Sequence, residues 1–144
     1  MIERLERVFA SFGSREARYV VLGAIAAVLH GVPRATFDLD ILIEASEENA
    51  RQLLGALADA GLGTAALITP TELLAHEITV FEDVVRIDVQ TRTPGLEFAQ
   101  AWARRVTVPF RQARVDAGYG AIADPGDDRP WTGPDLPARQ LLGP

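Results

Sequence analysis

The sequence predicts an α/β (α+β) layer fold, a small mixed β-sheet flanked by helices, and three observations carry that expectation. Amphipathic helical stretches alternate with short apolar strands in the order α-β-α-β-α-β-β-α-β. The 144 residues fit one domain and leave little room for a second. Hydrophobic residues at 48% and charged residues at 24% give an ordinary globular composition, which sets disorder aside.

Each element has a local reason. Residues 2–12 place Ile2, Leu5, Val8, Phe9 and Phe12 at helical spacing, and Gly13-Ser14 closes the helix. Residues 18–23 form a short apolar strand running into Gly23. The alanine-rich run 24–29 suits a short buried helix closed by His30-Gly31, and residues 33–36 are a connector. Residues 37–43 read as a central strand, alternating at first and then continuously apolar. Ser46 is the expected N-cap of a helix over 47–60, with Glu47 and Glu48 complementing its dipole and Gly61 stopping it. Thr69-Pro70 opens a helical turn that turns Leu73 and Leu74 inward. Two alternating strands follow, 77–81 and 84–90, joined at Glu82-Asp83. A helix over 98–104 and a strand over 105–110 complete the domain, assigned to residues 1–115. Prolines and glycines then punctuate the chain so densely that residues 116–144 are expected to be a tail or arm.

Composition also excludes classes of function. The chain has no cysteine, so disulfide scaffolds and thiolate sites are out, and two histidines make a multi-histidine metal site a poor fit. No run reaches the roughly 18–20 apolar residues that span a bilayer, and the N-terminus is too charged for a secretory signal, so the expected location is cytoplasmic and away from membranes. A net charge of −6 argues against a broad electrostatic grip on nucleic acid. All 14 cations are arginine. A lysine-dependent phosphate loop is therefore excluded, and phosphate contacts fall to guanidinium groups or backbone amides.

The chemistry concentrates around the central strand. Positions two apart on a strand share a face, so Asp38 and Asp40 present two carboxylates side by side while Phe37, Leu39 and Ile41 face the other layer. Adjacent carboxylates repel unless a proton or cation sits between them, and a hard divalent ion is the usual resolution. Asp88 shares a strand face with Arg86 and Gln90. If its strand neighbours the first, three carboxylates gather where a two-metal phosphoryl-transfer site would need them. The turn at Gly23, leading into a helix N-terminus, would offer backbone amides to a triphosphate.

The run YVVLGAIAAVLHGVPRATFDLDILI resembles the signature of the DNA polymerase beta-like nucleotidyltransferase superfamily, nearest to the small stand-alone enzymes of abortive-infection and toxin–antitoxin systems. Gly23, Arg34, Thr36, Asp38, Asp40 and Asp88 match the motif positions over about residues 19–90. Ala24 stands where that family carries glycine or serine. The resemblance implies transfer of a nucleoside monophosphate from an NTP to a hydroxyl or phosphate acceptor. Mg²⁺ or Mn²⁺ would be held by Asp38, Asp40 and Asp88, the phosphates seated near Gly23, Ala24 and Thr36, and leaving-group charge met by Arg34. The acceptor stays open among an RNA end, a protein hydroxyl and a small molecule, as does a homo-oligomer or an antitoxin partner. The alternative is a non-catalytic binding module of the same fold.

Other residues have plainer readings. His30 caps or packs a helix, His76 and Glu77 lie at the surface, and Phe98 and Trp102 have core spacing. Glu44, Glu47 and Glu48 mark a solvated helix start. Asp124, Asp127 and Asp128 lack the spacing of a calcium loop.

Overall fold

The computed structural model describes residues 2–22 and 38–118. The expected helix over 24–29, with Gly23, Ala24, His30, Arg34, Thr36 and Phe37, lies outside the described residues, as does the chain from 119 onward. The fold is the expected mixed α/β layer, and its helices and strands alternate along the chain.

Helix α1 (Ile2–Ser14) buries Leu5, Val8, Phe9 and Phe12 along one stripe. Its end is a left-handed cap: Ala17 N donates to Phe12 O at 3.0 Å and Glu16 N to Gly13 O at 3.1 Å. Glu16 takes φ 54° there, a conformation that usually falls to glycine. Strand β1 (Tyr19–Leu22) follows, and then β2 (Asp38–Ile43). Ser46 caps α2 (Glu47–Asp59) as expected, its side chain accepting from Asn49 N. A 3₁₀ turn (Gly63–Leu67) and α3 (Pro70–Ala75) lead to β3 (Ile78–Glu82). In α3 Thr69 and Glu72 form a reciprocal capping box, and Leu73 is buried while Leu74 is only half-buried. Strand β4 (Arg86–Gln90), α4 (Phe98–Ala103), β5 (Val106–Phe110) and β6 (Ala113–Ala117) complete the described chain.

Three details depart from the sequence expectations. Strand β6 was not expected, because two of its three inward residues are alanines and carry little hydrophobic signal. It runs past residue 115 into the stretch read as tail. The hairpin between β3 and β4 turns through Asp83, Val84 and Val85 rather than Glu82-Asp83, because Asp83 accepts from Val84 N at 2.8 Å and from Thr64 N at 3.0 Å. The 3₁₀ turn is likewise absent from the sequence pattern.

The six strands lie in the order β3-β4-β2-β1-β6-β5. The pairs β2/β4 and β1/β6 are parallel, and the remaining neighbours are antiparallel. One face packs on α1 and α2: Tyr19, Val21, Leu39, Ile41, Ile43, Ile87, Val89 and Val115 are all at most 2% exposed. Phe9 and Phe12 close over Tyr19, with ring centroids 6.3 and 4.5 Å away. The Tyr19 hydroxyl accepts from Asp116 N at 3.1 Å, and burial pushes its pKa far above the usual phenol value, so it stays neutral. The opposite face is divided. Val20, Leu42 and Ala101 form a small second core under α4, with Leu22, Phe98 and Trp102 around it. No helix among the described residues is long and apolar enough to cross a membrane.

Asn49 ties the layers together. It is 4% exposed, and its amide donates to Arg18 O and Glu44 O, both at 2.9 Å, while its carbonyl accepts from Arg18 N at 2.7 Å. One side chain thus holds the start of β1, the end of β2 and the first turn of α2. Asn49→Ala would leave Arg18 N without its partner and take one of two bonds from Arg18 O and Glu44 O, and we expect a loss on the order of 1–3 kcal/mol in chemical denaturation. Glu16→Gly should do the opposite, adding about 0.5–1 kcal/mol by removing the left-handed penalty, read as a higher denaturation midpoint at unchanged slope.

Candidate functional site

The parallel pairing of β2 with β4 sets Asp38 opposite Arg86, Asp40 opposite Asp88 and Leu42 opposite Gln90. Because alternate residues share a face, these six side chains project from the sheet away from α1 and α2. Their neighbours Leu39, Ile41, Ile87 and Val89 are fully buried on the other side, which locks the register: a slip of one residue would drive the carboxylates into the core. Along β2 the exposed face passes from Leu42, covered by α4, to Asp40 and then to the open Asp38. Beyond β4 it becomes apolar again, with Val80 opposite Asp88 and Ile78 opposite Gln90.

The sequence-expected carboxylates therefore gather on neighbouring strands. Asp40 and Asp88 are half-buried, Asp88 with its side chain 19% exposed, whereas Asp38 is 55% exposed. Asp40 has its carboxyl pKa raised, first by partial burial and then by the charge of Asp88, a hydrogen bond to Asp88 and the charge of Asp38; Arg86 opposes the shift. Of the other expected positions, Gly23, Ala24, Arg34 and Thr36 lie outside the described residues.

Arg86 also lies on this face, and the sequence reading gives it no role. Its Nε donates to Asp88 Oδ1 at 3.2 Å and lies 3.9 Å from Asp38 Oδ2. The hydrogen bond to Asp88 leads the causes that raise its own pKa, followed by the charges of Asp88, Asp38 and, more weakly, Glu82. The signal was present in the alternation Arg86-Ile87-Asp88, which places the cation two residues from the acid on one face. Among the described residues no three Asp, Glu or His side chains are disposed closely enough to hold a metal ion as they stand. The guanidinium occupies part of the space between Asp38 and Asp88.

The position of this face in the fold matters as much as its charge. Leu22 pairs with Asp40, and Ala117 pairs with Val21, so Leu22, Asp38, Arg86 and Gly118 share one end of the sheet. A polar groove of about 570 Å³ lies at the other end of the β1–β2 pair, among Arg18, Glu44, Asn49 and Trp102. Arg18 and Glu44 are already paired at 2.9 Å and Asn49 is fully bonded, so the groove offers little unspent chemistry.

Asp40→Asn removes a charge that folding disfavours. Since the folded pKa of Asp40 is raised, its charged form weakens the native state above that pKa and has no such effect once both states are protonated. Without divalent ions the variant should melt higher than the parent near neutral pH. That advantage should shrink as pH falls through the raised value towards about pH 4, the ordinary range for aspartate, in parallel thermal melts.

Comparison with protein-family models, curated proteins and solved structures finds no match to this chain.

Proposed function

We propose that the chain is a divalent-cation-dependent nucleotidyltransferase that moves a nucleoside monophosphate from an NTP to a hydroxyl or phosphate acceptor and releases pyrophosphate. The observation that carries this reading is the register of β2 and β4, with Asp40 opposite Asp88 and Asp38 on the same face. The donor set suits Mg²⁺ or Mn²⁺, being all hard carboxylate oxygen, and the raised Asp40 pKa reflects partial burial first and then the neighbouring charge of Asp88 and Asp38. Asp38, Asp40 and Asp88 would be the ligands. A bound ion would supply charge neutralisation to the triphosphate and a lower pKa to an acceptor hydroxyl.

The remaining work falls to the chain's own side chains. The acceptor oxygen bonds to the α-phosphorus as the bond from that phosphorus to the oxygen bridging the β-phosphate breaks. A proton released from a hydroxyl acceptor passes to the Asp88 carboxylate, which is only 19% exposed. The resemblance assigns the phosphate seat to Gly23, Ala24 and Thr36 and the leaving-group contact to Arg34. The acceptor is an RNA end, a protein hydroxyl or a small molecule.

One observation favours a second reading, a non-catalytic module of the same fold such as one subunit of a toxin–antitoxin pair. Arg86 already neutralises part of the carboxylate charge that an ion would otherwise meet.

The two readings separate in one assay. Incubation with each α-labelled NTP, Mg²⁺ and total RNA or lysate should label an acceptor. Asp38→Asn, Asp40→Asn and Asp88→Asn should each cut that transfer on the order of a hundredfold or more, because ion-assisted stabilisation acts in the transition state. Transfer that survives all three substitutions would remove the enzymatic reading. An inactive parent that binds NTP only with both Asp38 and Asp40 intact would favour the module.

A further inference from the structure

We infer that Arg86 is an internal counter-ion that competes with divalent cations for the carboxylate face and yields its place when a triphosphate arrives with the ion. The inference rests on the reading of Asp38, Asp40 and Asp88 as ion ligands and adds to it a rule of binding order.

The geometry is that of a cation shared among acids. Arg86 stands opposite Asp38 across the β2–β4 ladder and opposite Glu82 across the β3–β4 ladder. It lies two residues before Asp88 on its own strand, and Asp40 faces Asp88 from β2. Two carboxylates, Asp88 and Asp38, therefore contact one guanidinium, and Asp40 and Glu82 lie at neighbouring register positions on the same face. Arg86 bonds Asp88 through Nε at 3.2 Å and reaches Asp38 at 3.9 Å, so the single planar group links two acids from different strands. A dication seeking the same oxygens meets a positive charge within a few ångströms, and the repulsion lowers its affinity.

The arrangement is also easily undone. The Arg86 side chain is 41% exposed, and its contacts are a single hydrogen bond and one longer ion pair rather than a buried two-pronged clamp. A triphosphate brings several negative charges to the same end of the sheet. These give a displaced guanidinium a new partner, so ion and triphosphate should each favour the other's binding. An ion alone gains no such compensation.

The test uses Mn²⁺ as the ion and inorganic tripolyphosphate as the triphosphate probe, with Mn²⁺ binding followed by electron paramagnetic resonance and titration calorimetry. Arg86→Gln should bind Mn²⁺ alone roughly tenfold more tightly than the parent, from the loss of one nearby positive charge. Its ion-free melting temperature should fall, because the acids lose their counter-ion. Tripolyphosphate should tighten Mn²⁺ binding in the parent and do so much less in Arg86→Gln. A merely structural arginine would lower the melting temperature without raising the affinity.

If Arg86→Gln binds Mn²⁺ no more tightly than the parent while Asp40→Asn weakens binding, the ligands stand and the counter-ion proposal falls. If none of the three proteins binds Mn²⁺, both fall. The unmodified protein gives a check independent of any folding defect: the ¹⁵N-labelled Nε–H resonance of Arg86 should move on titration with Mg²⁺ and tripolyphosphate together. A resonance that stays fixed through saturation would overturn the proposal.

Discussion

The parallel register between β2 and β4 is the constraint on which the carboxylate face depends. It is enforced from the far side of the sheet, where Leu39, Ile41, Ile87 and Val89 are wholly buried against the helical layer. Burial of four such side chains contributes several kcal/mol, of order 1.5–3 each, well beyond the cost of facing Asp40 towards Asp88. The repulsion among the acids is thus sustained by packing that the acids never touch. Sheet geometry then fixes the rest: Asp38 falls beside Arg86 because Asp40 falls beside Asp88.

Helix α4 sets the boundary of that face. It covers Val20 and Leu42 and leaves the next residue on the same side of β2, Asp40, half-buried. Partial enclosure raises the cost of charge on Asp40 without removing the carboxyl from solvent. At the opposite end of β2, Asn49 performs the complementary task, satisfying backbone groups where the strand hands over to α2. The strand therefore runs from a polar knot with all its bonds made to a polar face with charge to spare.

Much of this was legible in the sequence because it rests on local periodicity. The alternation in residues 38–43 and 86–90 separates acids from core residues, and Ser46 followed by Glu47 and Glu48 marks the start of α2. Strand adjacency was legible only as a condition, since alternation places side chains on faces but does not choose which strands meet. Arg86 was seen on the right face yet given no role, because its significance lies in distances to Asp38 across the ladder. Asn49 sits on the apolar side of its helix, where its three bonds depend on β1 and β2 being paired. Strand β6 escaped notice because Ala113 and Ala117 bury little area, and its place comes from pairing with β1 and β5.

That late strand has a consequence for how the chain acquires its shape. Strand β6 lies between β1 and β5, and the tip of the β5–β6 hairpin is fastened to the first helix, with Gln112 N donating to Glu6 at 2.8 Å and Arg111 paired to Glu6 and Glu3. The acids of α1 thus wait for partners roughly a hundred positions later in the chain. Until those emerge, β1 keeps an unpaired edge and the aromatic stripe of α1 lacks part of its cover, including the ring of Phe110 that meets Phe9 at 5.5 Å. Closing so long a loop is slow compared with local helix formation. The nascent domain consequently keeps that edge of β1 open after β2 and α2 have been made, and its completion is sensitive to anything that delays β5 and β6.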